Sequence, residues 1–545
     1  MTRRAPARLR RSIALAALAA CAPGLPNGAA DEVAPAIASR DAVVRVGAYA
    51  IVPAVAVSQS RAFAVGEDGV AVYDRGARRW LPPIPLALRD LAVRVGRVSA
   101  ATNLIGDVVW VASQGRVFVV GTNLRSVFAT PFIGEARAIR VERGGANAYV
   151  LTDRWWQVGT TGDARPVAPG EMPPDALLMP TAGASDPAIR RAIDDPLLTR
   201  DEALRTWPVI SAARGATSSD VWLGTAGGGV FHVDPDFHRS EQLAFGLREG
   251  GVLALARTAD GIVAAEYGPV GAGVMAPGVV TEGSDDLTRW RWHALSEQVG
   301  AVRSLALRGR SLCVVGENGA GIVELPSSAT PALPATVVHV VALPAFTAMA
   351  ARDGCVVGTL NGVTVIPWPR GDAAGDSLWT SSALPAVNAL AAAGDTIWAG
   401  TRDGVYTLVG GRPTGPARSA VAGWWNVTAL ALVPGGLAVA GRDGVSILSS
   451  ATVERIAVPV ASVGNVRALA ADDRTLWVGG EHGALAIDLA TRGVAPVPLE
   501  AAGVTGPPLP GGDFVNAIVL APGVAWIGTA AGLVRVGRGA DGLPR

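Results

Sequence analysis

Five histidines are the natural starting points for acid–base or metal chemistry: His232, His238, His293, His339 and His482. None is spaced from a second histidine or a cysteine as a zinc site requires. His232 and His238 flank Val233-Asp234-Pro235-Asp236-Phe237, but those carboxylates lack the spacing of a calcium loop. The glycines from Gly224 to Gly229 have no Walker lysine beside them and no helix to follow. There is no Gly-x-Ser-x-Gly elbow. The expectation is therefore a protein with no catalytic residue, no metal and no cofactor. A different set is more promising. Arg303, Asn388, Thr428, Arg467 and Asn516 each follow the opening valine of a similar apolar run, and each is polar where its neighbours are not. Residues that differ in type at one repeated position could bind a ligand or a partner, or could simply line a water-filled channel.

That position belongs to a repeat. The phrase Asp395-Thr-Ile-Trp-Ala-Gly-Thr-Arg-Asp-Gly-Val-Tyr-Thr-Leu408 recurs, in clear or degenerate form, at steps of roughly 40 to 49 residues, a period typical of solenoids and propellers. Clear copies hold Trp222, Trp477 and Trp526, and weaker ones begin near Ala62, Val108, Tyr149, Ile262, Leu312, Cys355 and Leu437. Each unit reads as an apolar strand, a turn, a strand with tryptophan, a turn, a third strand and a looser proline-bearing segment. The fold expected is all-β, a β-propeller of about eleven four-stranded repeats in one large ring or two rings. Trp222, Trp398, Trp477 and Trp526, with Phe63 and Cys313 in the same slot, should fill the wedges between blades. The turn at Arg402-Asp403-Gly404 keeps its glycine from copy to copy and varies what precedes it. It reads as a hairpin in which glycine tolerates positive φ, and not as a phosphate or metal loop.

The phrases "IWAGTRDGV", "VWLGTAGGGV", "LWVGGEHGA" and "AWIGTAAGL" resemble the two-component regulator propeller repeat. That repeat builds the periplasmic sensor domains of hybrid two-component systems. The resemblance covers most of the chain from about residue 50 and is clearest over 380–537. It implies a sensor-like module without the kinase part. The family has distant propeller relatives that act as lyases, which implies an alternative: a histidine base with metal-holding acids on one face. His482 beside Glu481 is the histidine that fits this alternative. A third reading, by analogy of fold alone, is a scaffold for a protein assembly.

The last unit reads as lacking its outer strand, and 41–52 could supply it and close the ring. One segment, about 165–208, breaks the repeat. Asp186-Pro187 reads as a capped helix start, and Thr199-x-x-Glu202 as a capping box before a second helix. This insertion should emerge near the candidate face, as a lid, a docking element, a decorative loop or an inter-ring connector.

The formal net charge of +1 offers no field for nucleic acid, and every basic residue is arginine. The cationic start through Arg11, followed by Ser12–Ala20, reads as a secretory signal over 1–21. Leu18-Ala19-Ala20-Cys21 resembles a bacterial lipobox, which implies a lipid anchor on Cys21; ordinary cleavage after Ala30 is the alternative. Residues 22–40 read as a linker. The localisation expected is the periplasm or the cell surface, with the membrane reached only through the anchor. Cys313 and Cys355 lie in neighbouring repeats and are expected to be two small buried thiols.

Overall fold

In the computed structural model the described residues are 31–34 and 43–545, apart from 87–97, 123–125, 169, 180–185, 203, 268–277, 296–298, 327–335, 342–344, 370–378, 382–383, 410–411, 417–425, 442–443, 450–451 and 501–511. The signal sequence, Cys21 and Ala30 lie outside them. Eleven antiparallel sheets account for nearly all the described structure. Numbered along the chain, blades 1 to 4 begin at residues 54, 99, 138 and 209, and blades 5 to 11 at 251, 302, 345, 387, 429, 466 and 515.

Blade 8 shows how one unit works. Its strands are Val387–Ala393, Thr396–Thr401, Gly404–Val409 and Arg412–Pro416. Alternating side chains send Trp398 and Ala399 to opposite faces. Thr401 ends the second strand, its hydroxyl donating to the Gly404 carbonyl (2.9 Å) and accepting from the Asp403 N–H (3.1 Å). Gly404 has φ +142°, which explains why the turn keeps glycine. The glycine before that threonine has a different reason. A Cβ on Gly400 would sit 2.5 Å from Val427 Cγ1 of blade 9. The motif glycine thus leaves room for the neighbouring blade, as Gly479 does for Val515 and Gly528 for Val252.

Packing between inner strands divides the blades into two rings. Each inner strand of blades 5 to 11 packs on the next, and that of blade 11 returns to blade 5. Blades 1 to 4 form the smaller ring, in which the inner strand of blade 4 returns to blade 1. Val44–Val46 pairs antiparallel with Gly532–Gly537 as the fourth strand of blade 11, so the larger ring is sealed by two distant parts of the chain. This closure satisfies an edge that would otherwise be open to intermolecular pairing. The four-blade ring is therefore inserted between the outermost strand of blade 11 and the rest of the larger ring. The two crossing segments bond to each other, Tyr49 N–H to Leu247 O (2.8 Å) and Leu247 N–H to Gly47 O (3.0 Å). A cluster of Tyr49, Tyr73, Trp80, Trp222, Phe245 and Trp290 joins the rings, with ring centroids 4.8–5.8 Å apart.

Trp222, Trp477 and Trp526 are fully buried in the wedges, as are Phe63 and Cys313, and Trp398 is partly buried. Three expectations need correction. Cys313 and Cys355 form a disulfide across blades 6 and 7, with Cα atoms 6.2 Å apart. The two cysteines are offset by one position within their aligned second strands. Alternation therefore turns them to opposite faces of their own sheets, and so toward each other across the wedge. The supposed linker contributes Asp31–Ala34 as a fifth strand on the outer edge of blade 2. Among its described residues the insertion holds one α-helix, Pro187–Asp194, with Asp186 accepting from the Ala188 and Ile189 N–H groups. No second α-helix starts at Thr199. A 3-10 turn, Pro196–Thr199, is capped by Asp195 and ends there, and Trp207 N–H folds back onto Thr199 O (3.1 Å).

The insertion also lies elsewhere than expected. Ala188, Ile189, Ala192 and Leu198 pack on Val221, Leu223, Phe231 and Val233, one face of blade 4. The segment's earlier part bonds to blade 3, Met179 N–H to Val141 O (2.7 Å), and none of its described residues lines the mouth of the larger ring.

Candidate functional site

Arg303, Asn388, Thr428, Arg467 and Asn516 come from five blades and line a single cavity of about 610 Å³ at one end of the seven-blade channel. A common local device brings them there. In blades 6, 8, 10 and 11 the inner strand carries a β-bulge, and the bulged residues are Arg303, Asn388, Arg467 and Asn516. A bulge leaves one residue unpaired and re-aims its side chain. Thr428 of blade 9 holds the equivalent place, just before the regular pairing that starts at Ala429 opposite Ala440. Blades 5 and 7 have the same bulge, filled by Leu253 and Phe346. Those two were missed in the sequence because a leucine or phenylalanine does not stand out in an apolar run.

The polar residues divide into two kinds. Three lace one blade to the next. Asn388 donates to Val427 O (3.4 Å), Thr428 to Val466 O (2.7 Å) and Asn516 to Val252 O (2.9 Å). In each case the acceptor is the carbonyl of the opening valine of the following blade. Asn516 thereby ties blade 11 to blade 5, where the ring closes. The two arginines do something else. Arg303 pairs with Glu317 at 2.8 Å and lies over the Phe346 ring at 5.6 Å. Arg467 lies over the Phe514 ring at 4.5 Å, and its Nε is 3.9 Å from Glu481 Oε1. The Glu481 carboxylate takes its hydrogen bond from Asn465 (2.8 Å) instead. Both glutamates lie fourteen residues after their arginines, in the turn between the second and third strands. That shared separation is the signal in the sequence that could have found them.

His482 donates its backbone N–H to Val463 O (2.9 Å) and does not line the cavity. His232 accepts or donates at Asp220 (3.2 Å) and stacks on Trp222, His238 pairs with Asp195, and His293 is buried 3.6 Å from Glu282. Burial pushes the Asp220 carboxyl up, but hydrogen bonds from His232 and Trp222 and the Arg75 guanidinium outweigh it and hold the group well below the usual carboxylate range. The side chain of His339 lies outside the described residues. Among the described residues no three of His, Cys, Asp and Glu come together to hold a metal, and no helix is long and apolar enough to cross a membrane.

The smaller ring encloses a second cavity of about 600 Å³, walled by Ala, Val, Ser and Ile of its four inner strands together with Arg140, Arg143 and Arg214.

No family model matches this chain, and no curated protein matches it. Among solved structures, the chain is similar to the WD40 β-propeller domain of Doa1 at 12% identity, over 54% of this chain and 94% of that one, with a TM-score of 0.38. It is also similar to the extracellular domain of BT4673 from B. thetaiotaomicron, described as a one-component system. That match has 11% identity and a TM-score of 0.38, over 89% of this chain and 69% of that one. A second structure of that domain, described as part of a hybrid two-component system, gives 11% identity and a TM-score of 0.37, over 94% and 83%. At these values the propeller architecture rests on the chain's own sheet order and inner-strand packing.

Proposed function

We propose that this chain is an exported, non-catalytic β-propeller that binds a small polar ligand at the mouth of its seven-blade ring, in the manner of a sensor module. The observation that carries the reading is the convergence of five polar bulge-position residues from five blades on one cavity of about 610 Å³. That volume falls in the usual range of small-molecule sites. Export is supported by the N-terminal signal pattern and by the Cys313–Cys355 disulfide, since such bonds persist in oxidising compartments. Lipidation at Cys21 would hold the propeller at a membrane surface. Substituting Cys21→Ala should release it into the soluble fraction, and unchanged membrane attachment overturns the anchor.

The binding test is a thermal-shift screen of amino acids, dicarboxylates, polyols and amines on the full exported chain. A ligand that binds only the folded state raises the melting temperature. At least one compound should do so, and the shift should vanish in the double variant Asn388→Leu/Asn516→Leu. No shift with any compound, or a shift that survives this double variant, overturns the reading.

A further inference from the structure

The mouth is not uniformly polar. Its hydrogen-bonding capacity is partitioned, and the partition selects a class of ligand. Asn388 spends its amide N–H on Val427 O, and Asn465 spends its own on Glu481 Oε2. Both acceptors are oxygens, which assigns the bonded atom of each amide as nitrogen and leaves each Oδ1 as an acceptor. No bond to either Oδ1 occurs among the described residues. Glu481 adds a carboxylate that is partly exposed. These oxygens ask for a donor, best a cationic one.

One donor stands among them. Arg303, on blade 6, is held by Glu317 at 2.8 Å. Arg467, on blade 10, makes no hydrogen bond among the described residues, and its nearest carboxylate oxygen is 3.9 Å away. Its guanidinium is steadied by the Phe514 ring at 4.5 Å, and its side chain is 48% exposed. Stacking fixes the plane of the group and leaves its N–H edges for a planar acceptor, the geometry in which arginine takes a carboxylate with two parallel bonds. One cation and two acceptors, Glu481 and Asn465, therefore lie within a few ångströms of one another, with Asn388 on the same cavity wall.

Resting on the proposed ligand site, we infer that its ligand is a zwitterion of the α-amino acid type. Its carboxylate lies on Arg467, and its ammonium lies on Glu481 with the Oδ1 atom of Asn465. A dicarboxylate would place its second charge against Glu481. A simple amine would leave Arg467 unused. The rest of the cavity, toward Thr428 and Asn516, is where a side chain would extend.

Calorimetric titration of the full exported chain with the L-α-amino acids tests this, with succinate, ethanolamine and glycerol as probes lacking one or both charges. At least one amino acid should bind at one site per chain. Removing either charge from the probe should weaken binding about 10- to 100-fold, the usual weight of a charge-assisted bond. Arg467→Ala should lower affinity by a similar factor, Arg467→Lys should restore part of it, and Glu481→Gln should weaken the amino acid while leaving succinate no weaker. Arg492→Ala, whose partner Glu454 lies on outer strands, should change affinity less than twofold. Succinate or ethanolamine binding as tightly as the best amino acid overturns the inference, as does binding indifferent to Arg467. If no amino acid binds while another screened compound still stabilises the protein through Asn388 and Asn516, the ligand class fails and the site stands. If nothing binds at the mouth, both fail.

Discussion

The two rings are made from one repeat and enclose cavities of nearly equal volume, about 600 and 610 Å³, yet their walls differ in kind. In the larger ring six inner strands are bulged, and in blades 6, 8, 10 and 11 the bulge carries Arg or Asn. In the smaller ring the inner strands of blades 1, 2 and 3 pair without interruption, and blade 4 alone is bulged, at Ile210. In the smaller ring regularly paired residues such as Ala56, Ala100 and Arg140 wall the cavity. In the larger ring the residue that a bulge leaves without a ladder partner is turned to the mouth, as Arg303, Asn388, Arg467 and Asn516 are. The repeat builds both rings, but the bulge makes one of them a candidate site.

The first way to break this comparison is to attack a wedge. Trp477 is fully buried between blades 10 and 11, among Ala468, Val515, Ile518 and Ala525. Trp477→Ala should cost about 3–5 kcal/mol in denaturant unfolding, the range for deleting a buried aromatic side chain. Trp398 holds the same slot in blade 8 but is only partly buried. Trp398→Ala should cost less than half as much. Equal costs would mean that the slot is not a packing wedge.

The disulfide separates the rings more sharply, because it crosses two blades of the larger one and none of the smaller. A loop of 42 residues is expected to contribute about 4 kcal/mol through the unfolded chain. Cys313→Ala/Cys355→Ala should lower the unfolding midpoint of the larger ring. The local opening of blades 1 to 3, read by amide exchange, should be unchanged. Equal loss of protection in both rings would show that they unfold as one unit.

Glu266, at the start of the larger ring, tests the junction. Its carboxylate accepts from the N–H groups of Arg248 (2.7 Å) and Glu249 (2.6 Å), in the segment that crosses from blade 4, and from the Thr281 hydroxyl. Burial, assisted by the nearby Glu249 charge, pushes the group up to about 7 against the hydrogen bonds that favour ionisation. A carboxyl raised in the folded state binds a proton there that the unfolded chain has already lost. Its contribution to stability is full below about pH 4.5 and falls as pH rises to about 7, by about 3 kcal/mol. Glu266→Gln should remove that fall, measured as the difference between variant and parent across pH 4.5 to 7. Parallel curves would sink the assignment.

Much of this architecture could be read from the chain, and the parts that could not share a cause. The repeat is legible because Trp, Gly-Thr and the turn glycine answer to local demands: a wedge, a hydroxyl-capped turn, a close approach such as Gly400 on Val427, and the positive φ of Gly404. The split into seven and four is not local. It depends on the inner strand of blade 11 finding blade 5 and that of blade 4 finding blade 1. The convergence of Arg303, Asn388, Thr428, Arg467 and Asn516 follows from their shared place after the opening valine. The partition among them does not, because whether Arg467 is paired depends on where Asn465 points. The disulfide turns on a one-position offset that a loose alignment of copies conceals.

The smallest effect expected is the most local. Thr428 is a lacing residue, its hydroxyl donating to Val466 O at 2.7 Å, as the Ser211 hydroxyl of blade 4 donates to Val52 O at 2.7 Å where the smaller ring closes. Thr428→Val keeps the shape, removes the donor and leaves the carbonyl to water at the mouth. The loss should be about 1 kcal/mol, the net weight of an ordinary hydrogen bond. It should be concentrated at the boundary of blades 9 and 10, where exchange of the amides flanking Val466 should accelerate about fivefold. If lacing matters only to ring closure, the change at Thr428 would be silent and Asn516→Leu, which frees Val252 O, would alone destabilise. If both are silent, the polar bulges have no structural duty, and their side chains are left entirely to the ligand.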